Sequence, residues 1–184
     1  MKNYEIDATW HYHNGTKHPN GMLLNRFHVF HPSHRPTPYK IYKNAPQVSL
    51  PLDKNPVGTF TLDTISAIYS TNNNAIPDLG IISRVLYFSS GITKKIKFPE
   101  PLGEVDFRAA SCTGALYHIE IYLVCSNMSG LDAGVYHFDP KHMRLDTIRL
   151  GDFRGYITDS TAGEPFVRQA PDILVFTDVF EEIP

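Results

Sequence analysis

The sequence predicts one domain in which helices pack with a sheet, on three observations. Two stretches, 61–69 and 77–91, carry apolar residues at helical spacing. The segment 119–125 alternates, with Ile119, Ile121 and Leu123 on one face and Glu120, Tyr122 and Val124 on the other, and a turn at 127–132 returns it into a second strand at 135–138. Finally, 172–180 contains the continuous apolar run Ile173-Leu174-Val175-Phe176, the pattern of a central strand covered on both sides.

Taken in order, residues 4–14 suit a short helix bounded by Gly15 and Pro19, with Ile6, Trp10 and Tyr12 set among polar residues. Residues 20–57 read as an extended arm, because Pro32, Pro36 and Pro38 each fix φ and turn the preceding residue away from helix. A short extended piece is expected at Tyr39–Tyr42. So aromatic an arm needs a surface to lie on, its own domain or a partner subunit. Residues 1–57 are therefore set apart from a domain over 58–184.

In the first long helix Thr61 is the expected cap and Leu62, Ile65, Ile68 and Tyr69 the apolar face. Pro77 is expected to open the second, Leu79, Ile82, Val85 and Leu86 to form its stripe, and Gly91 to stop it. Lys94, Lys95 and Lys97 are read as loop lysines, solvated or facing a phosphate, and Pro99–Asp106 as a loop. A third strand is expected at 143–150 and short helices at 151–156 and 164–169.

With 184 residues, 42% hydrophobic and 20% charged, the chain is long enough for a substantial core. A formal charge of −2 argues against a nucleic-acid partner. No apolar run approaches the ~20 residues that cross a bilayer and no signal-peptide core is present, so a cytoplasmic protein without a membrane partner is expected. Six of nine histidines fall between positions 11 and 34, but no cysteine or carboxylate pair completes a site, and no metal is expected.

The candidate chemistry centres on the small-residue elbow 109–115. Little side-chain bulk there lets backbone lie against a planar ligand, and Ser111, Cys112, Thr113 and Gly114 are its candidate contacts. Cys112 precedes His118 by six residues, a pair that invites a Cys-His nucleophile reading. No cysteine-hydrolase signature surrounds the pair, so the elbow reads first as a connector or ligand platform. The other cysteine, Cys125, is expected to be buried filler.

The chain also resembles a known family. Thr16-Lys17-His18, Pro38-Tyr39-Lys40-Ile41-Tyr42, Leu86-Tyr87-Phe88-Ser89-Ser90-Gly91-Ile92-Thr93, Arg108-Ala109-Ala110-Ser111-Cys112-Thr113-Gly114-Ala115-Leu116-Tyr117, Glu120-Ile121-Tyr122-Leu123-Val124 and Gly134-Val135-Tyr136-His137-Phe138-Asp139-Pro140 follow one another as in the SagB-type dehydrogenases, a branch of the nitroreductase-like flavoproteins. The resemblance implies an α+β, nitroreductase-like fold, with a central, mostly antiparallel sheet flanked by helices. It also implies FMN, a homodimer or other partner completing the flavin pocket, and two-electron chemistry on a small-molecule or peptide substrate, such as oxidation of azolines to azoles. Ser111 to Gly114 would then meet the flavin ring, and Lys94 and Lys95 its phosphate or ribityl chain.

Three departures stand out. Ser111-Cys112-Thr113-Gly114 replaces the usual Pro-Ser-Ala-Gly, His118 replaces a proline, and no arginine pair opens the first helix, where Tyr69-Ser70-Thr71-Asn72 stands instead. The family's C-terminal half has no counterpart, so the chain is expected to be an N-terminal part whose remainder comes from elsewhere. A non-catalytic scaffold or peptide-binding domain is the alternative expectation.

Overall fold

The computed structural model describes residues 6–17, 37–53, 58, 60–66, 76–99, 103–112 and 115–178. The chain divides into two units, Met1–Arg35 and Pro36–Pro184. In the first, helix α1 (Ile6–Thr16) starts with Asp7 in its first turn and buries none of its residues. The Thr16 hydroxyl closes its end by donating to the Tyr12 carbonyl at 2.9 Å.

The second unit holds, in order, β1 (Gln47–Ser49), α2 (Thr61–Ser66), α3 (Leu79–Ser90), β2 (Ile92–Lys97), β3 (Glu104–Arg108), β4 (Ile119–Cys125), β5 (Gly134–Asp139), β6 (Arg144–Leu150), α4 (Arg154–Ser160), α5 (Pro165–Gln169) and β7 (Asp172–Asp178). Five strands form one sheet in the order β1-β6-β5-β4-β7, every pair antiparallel, while β2 and β3 make a separate hairpin. This is the predicted α+β architecture, a central antiparallel sheet flanked by helices.

The register separates two faces. Leu123 stands opposite Tyr136 and Leu174, and Phe138 opposite Leu145, so one face is apolar. Ile82 and Leu86 of α3 pack into that face, with Leu50, Ile121 and Cys125. Burying each such aliphatic side chain is worth ~1.5–3 kcal/mol. The opposite face is polar, because Tyr122, His137, Asp146 and Gln47 are cross-strand partners in turn.

The arm from 37 to 46 covers that polar face. The Tyr42 hydroxyl lies 2.7 Å from that of Tyr122 and its ring stands edge-on to His137, 5.1 Å between centroids. Lys40 Nζ donates to the Tyr122 hydroxyl at 2.7 Å, and the Thr147 N–H donates to the Pro46 carbonyl at 2.7 Å. This part of the arm lies on its own domain. Residues 18–36 and 54–57, which hold the remainder and its expected boundary at 57, fall outside the described residues.

Several expectations need correction. Pro77 precedes α3 rather than opening it, and Asp78 is the cap, accepting the Ile81 N–H at 2.8 Å. Val85 faces solvent, and Tyr87 takes the buried place, because Ile82, Leu86 and Tyr87 share the inward stripe. Leu62 and Ile65 of α2 are exposed, while Ile68 and Tyr69 lie outside the described residues. The span read as a loop from Pro99 to Asp106 carries the start of β3, and the three lysines lie on β2 rather than in a loop. Within the described sheet β7 is an edge strand paired with β4, with Phe176 exposed. A continuous apolar run does not by itself distinguish a central strand from an edge. The short extended piece at Tyr39–Tyr42 pairs with no described strand; the arm's strand is β1, five residues on.

Candidate functional site

The elbow leaves β3 at Arg108 and is tied to the end of α3. The Ala109 N–H donates to the Gly91 carbonyl at 2.9 Å. Gly91 permits this junction, since a Cβ there would stand 2.7 Å from the Tyr87 carbonyl oxygen. At the end of the elbow and just past it, Ala115 and Tyr117 adopt positive φ, 53° and 46°, a conformation costly for side-chain-bearing residues and common at functional loops. The Tyr117 hydroxyl returns to accept the Arg108 N–H at 2.9 Å.

These contacts leave a cleft of about 370 Å³, within the ~300–1,000 Å³ usual for small-molecule and cofactor sites. Ile119, Ile121 and Phe176 supply apolar wall, the Ser89, Ser90 and Ser111 hydroxyls a polar edge, and Arg108, Cys112, Tyr117 and His118 the reactive or charged groups. Cys112 Sγ accepts the Tyr117 N–H at 3.3 Å and lies 3.7 Å from His118 Nδ1. His118 Nε2 lies 4.0 Å from Asp178 Oδ1, brought there by the register that pairs Ile119 with Asp178.

Arg108 is the charged group of this wall. It is 7% exposed, its guanidinium lies between the rings of Tyr39 and Tyr117 at 5.3 and 5.0 Å, and Nη2 donates to the Pro38 carbonyl at 3.0 Å. Its Nε has no hydrogen-bond partner. Burial pulls its pKa down, opposed first by the negative charge of Glu120. Tyr39 beside it hydrogen-bonds Asp106, and burial first, then that bond, pushes its phenol far above the ordinary range.

A buried polar cluster lies on the arm-covered face. His137 Nε2 is 2.6 Å from Glu120 Oε2, and its Nδ1 is 3.8 Å from Asp146 Oδ2. Arg144 Nε stands 3.1 Å from both Asp139 Oδ2 and Asp146 Oδ1. The Asp146 oxygens and His137 Nδ1 make no aligned hydrogen bond, so charge attraction balances much of this site.

Of the residues singled out in the sequence, Ser111 and Cys112 line the cleft, and Thr113 and Gly114 lie outside the described residues. Lys94 and Lys95 are on β2, outside this lining. Lys95 is engaged, 3.2 Å from Asp106 and 3.4 Å from Glu104, and its pKa is raised first by the hydrogen bond to Asp106. Sequence reasoning did not select Arg108, Ser89, Ser90 or Phe176. Arg108 heading the small-residue run was the available signal; a serine pair ending a helix and a phenylalanine in an apolar strand carry none. Among the described residues no group of three or more His, Cys, Asp or Glu could hold a metal, and no helix is long and apolar enough to cross a membrane.

The lining fits the ring portion of FMN by its donor set: apolar wall, hydroxyls at the edge, and an unpartnered buried N–H of Arg108 for a carbonyl or ring nitrogen. For the phosphate, Arg108 and His118 are the cationic or cation-forming side chains of the lining.

Comparison with known proteins places these features. No protein-family profile matches the chain. Over 117 residues, 61% of this chain and 31% of the relative, it is 29% identical to the trifolitoxin-processing protein TfxB of Rhizobium leguminosarum bv. trifolii. A crystal structure of a protein assigned as a nitroreductase, from Anabaena variabilis ATCC 29413, superposes with a TM-score of 0.62 at 22% identity, covering 93% of this chain and 31% of that one. The chain thus spans about a third of the length of each. The likeness is one of fold, an α+β, nitroreductase-like architecture with a central antiparallel sheet flanked by helices.

Proposed function

We propose that this chain supplies the flavin-facing elements of an FMN-dependent oxidoreductase of the SagB-type dehydrogenase kind, acting on a modified peptide. The carrying observation is the elbow cleft, with Arg108 buried in its wall and its Nε unpartnered. FMN, when bound, supplies two-electron chemistry that amino-acid side chains lack. Ile119, Ile121 and Phe176 would hold the ring and exclude water, the serine hydroxyls would orient its edge, and Arg108 would oppose negative charge developing there. Similarity to a toxin-processing protein supports a peptide substrate, and azoline oxidation is the specific reaction proposed. A homodimer, or a partner supplying the remaining length of the relatives, would complete the pocket, in the cytoplasm.

The engagement of Lys95 by two carboxylates favours a second reading, a nitroreductase-like scaffold that binds peptide without flavin. An absorbance spectrum of the purified chain before and after FMN addition, followed by gel filtration, separates the two. A flavin band that co-elutes near one per chain supports the oxidoreductase; a colourless protein that ignores added FMN sinks it for this chain.

A further inference from the structure

We propose that Cys112 is a reactive thiol with His118 as its base, and that the cleft takes a carboxylate-bearing small-molecule disulfide that exchanges onto it. The proposal stands without the flavin reading.

Two groups contact the Cys112 sulfur, the His118 ring nitrogen Nδ1 at 3.7 Å, placed to take its proton, and the Tyr117 N–H, which donates to Sγ at 3.3 Å. Asp178 sits 4.0 Å from the far nitrogen of His118, where a carboxylate orients an imidazole. Asp178 is a positioning residue, since it acts through His118. Arg108 is an independent pointer to the ligand. It lines the same cleft and is buried, and its guanidinium is the positive charge of that wall, which a carboxylate would meet.

Cys125 differs in each respect. It is fully buried, points its thiol at the Asp132 carbonyl, and burial pushes its pKa up to about 11. The chain has two cysteines, so native-state reactivity reports Cys112.

In the exchange the Cys112 proton passes to Nδ1 of His118 and the thiolate attacks one sulfur of the disulfide. A Sγ–S bond forms as the S–S bond breaks, and the departing thiolate takes the proton from His118. Cys112 is oxidised and the released half of the disulfide reduced, so no further oxidant is required.

The test is the labelling rate at neutral pH with dithiobis(nitrobenzoate), an aromatic disulfide bearing two carboxylates, against the neutral dithiodipyridine. The native chain should take one label, lost in Cys112→Ser, at least about tenfold faster than the urea-unfolded chain. His118→Asn should lose about tenfold or more. Asp178→Asn should lose part of that rate and Asp178→Glu restore it, which also serves if His118→Asn does not fold. Arg108→Gln should lower the preference for the carboxylate probe. A native rate equal to the unfolded one, or a folded His118→Asn that labels as fast as the parent, overturns the thiol site. A probe preference unchanged in Arg108→Gln overturns the ligand class.

Discussion

Glu120 Oε2 and His137 Nε2 meet at 2.6 Å on the covered polar face of the sheet, with Glu120 5% exposed and His137 fully buried. Their contact is diagonal, since the register sets His137 opposite Tyr122, two residues along from Glu120. Removing one member leaves the other charge or dipole buried without its partner. Glu120→Ala is therefore expected to cost about 3–5 kcal/mol, and Glu120→Gln less. Urea unfolding measures both, and a loss below about 1 kcal/mol for the alanine variant would mean that water replaces the carboxylate.

Alkaline stability should depend on Tyr136. Burial pushes its phenol up to about 12, while its hydroxyl donates to the Asp132 carbonyl at 2.9 Å. The folded state holds this proton more tightly than the unfolded chain, whose tyrosines titrate near ~10. The contribution is complete below that value and is lost as pH rises from about 10 to about 12, roughly 2–3 kcal/mol in all. Tyr136→Phe should lose the neutral-pH hydrogen bond and flatten this part of the curve. Denaturant midpoints at several alkaline pH values would reveal it, and an unchanged slope in the variant would refute the assignment.

Two glycines should respond oppositely to alanine. At Gly91 the added Cβ would stand 2.6 Å from the Tyr87 ring and 2.8 Å from its Cα, so Gly91→Ala is expected to cost about 1–3 kcal/mol and to disturb the elbow. At Gly155, inside α4, nothing lies within 4 Å of the new Cβ, and Gly155→Ala should stabilise by about 0.5–1 kcal/mol. Thermal melts of the two variants give the signs directly.

If flavin binds as proposed, Arg108 and Lys95 should separate. Arg108→Gln removes a buried charge from the cleft wall and should raise the Kd for FMN about tenfold or more. Lys95→Ala, on an exposed hairpin where Glu104 and Asp106 hold the ammonium, should leave that Kd where it is. Fluorescence titration of FMN decides between them, and the reverse ranking would move the flavin contacts from the cleft to β2.

Periodicity alone made α3, β4, β5 and β6 legible in the sequence. Helix and strand repeats record which side of an element is buried, and Ile82, Leu86, Leu123 and Phe138 announced that side. The run of small residues marked the elbow, and Ser111 and Cys112 do line a cleft. Periodicity could not say which strand stands at the edge, so β7 was misread. Nor could it show that Glu120, His137 and Asp146 share a covered face, because their contact depends on register between strands and on the arm laid over them. The Cys112–His118–Asp178 alignment has the same origin. Six residues separate Cys112 from His118 in sequence, but it is the antiparallel pairing of Ile119 with Asp178 that brings the carboxylate beside the ring. Local patterning determined the elements; pairing across sixty residues decided their chemistry.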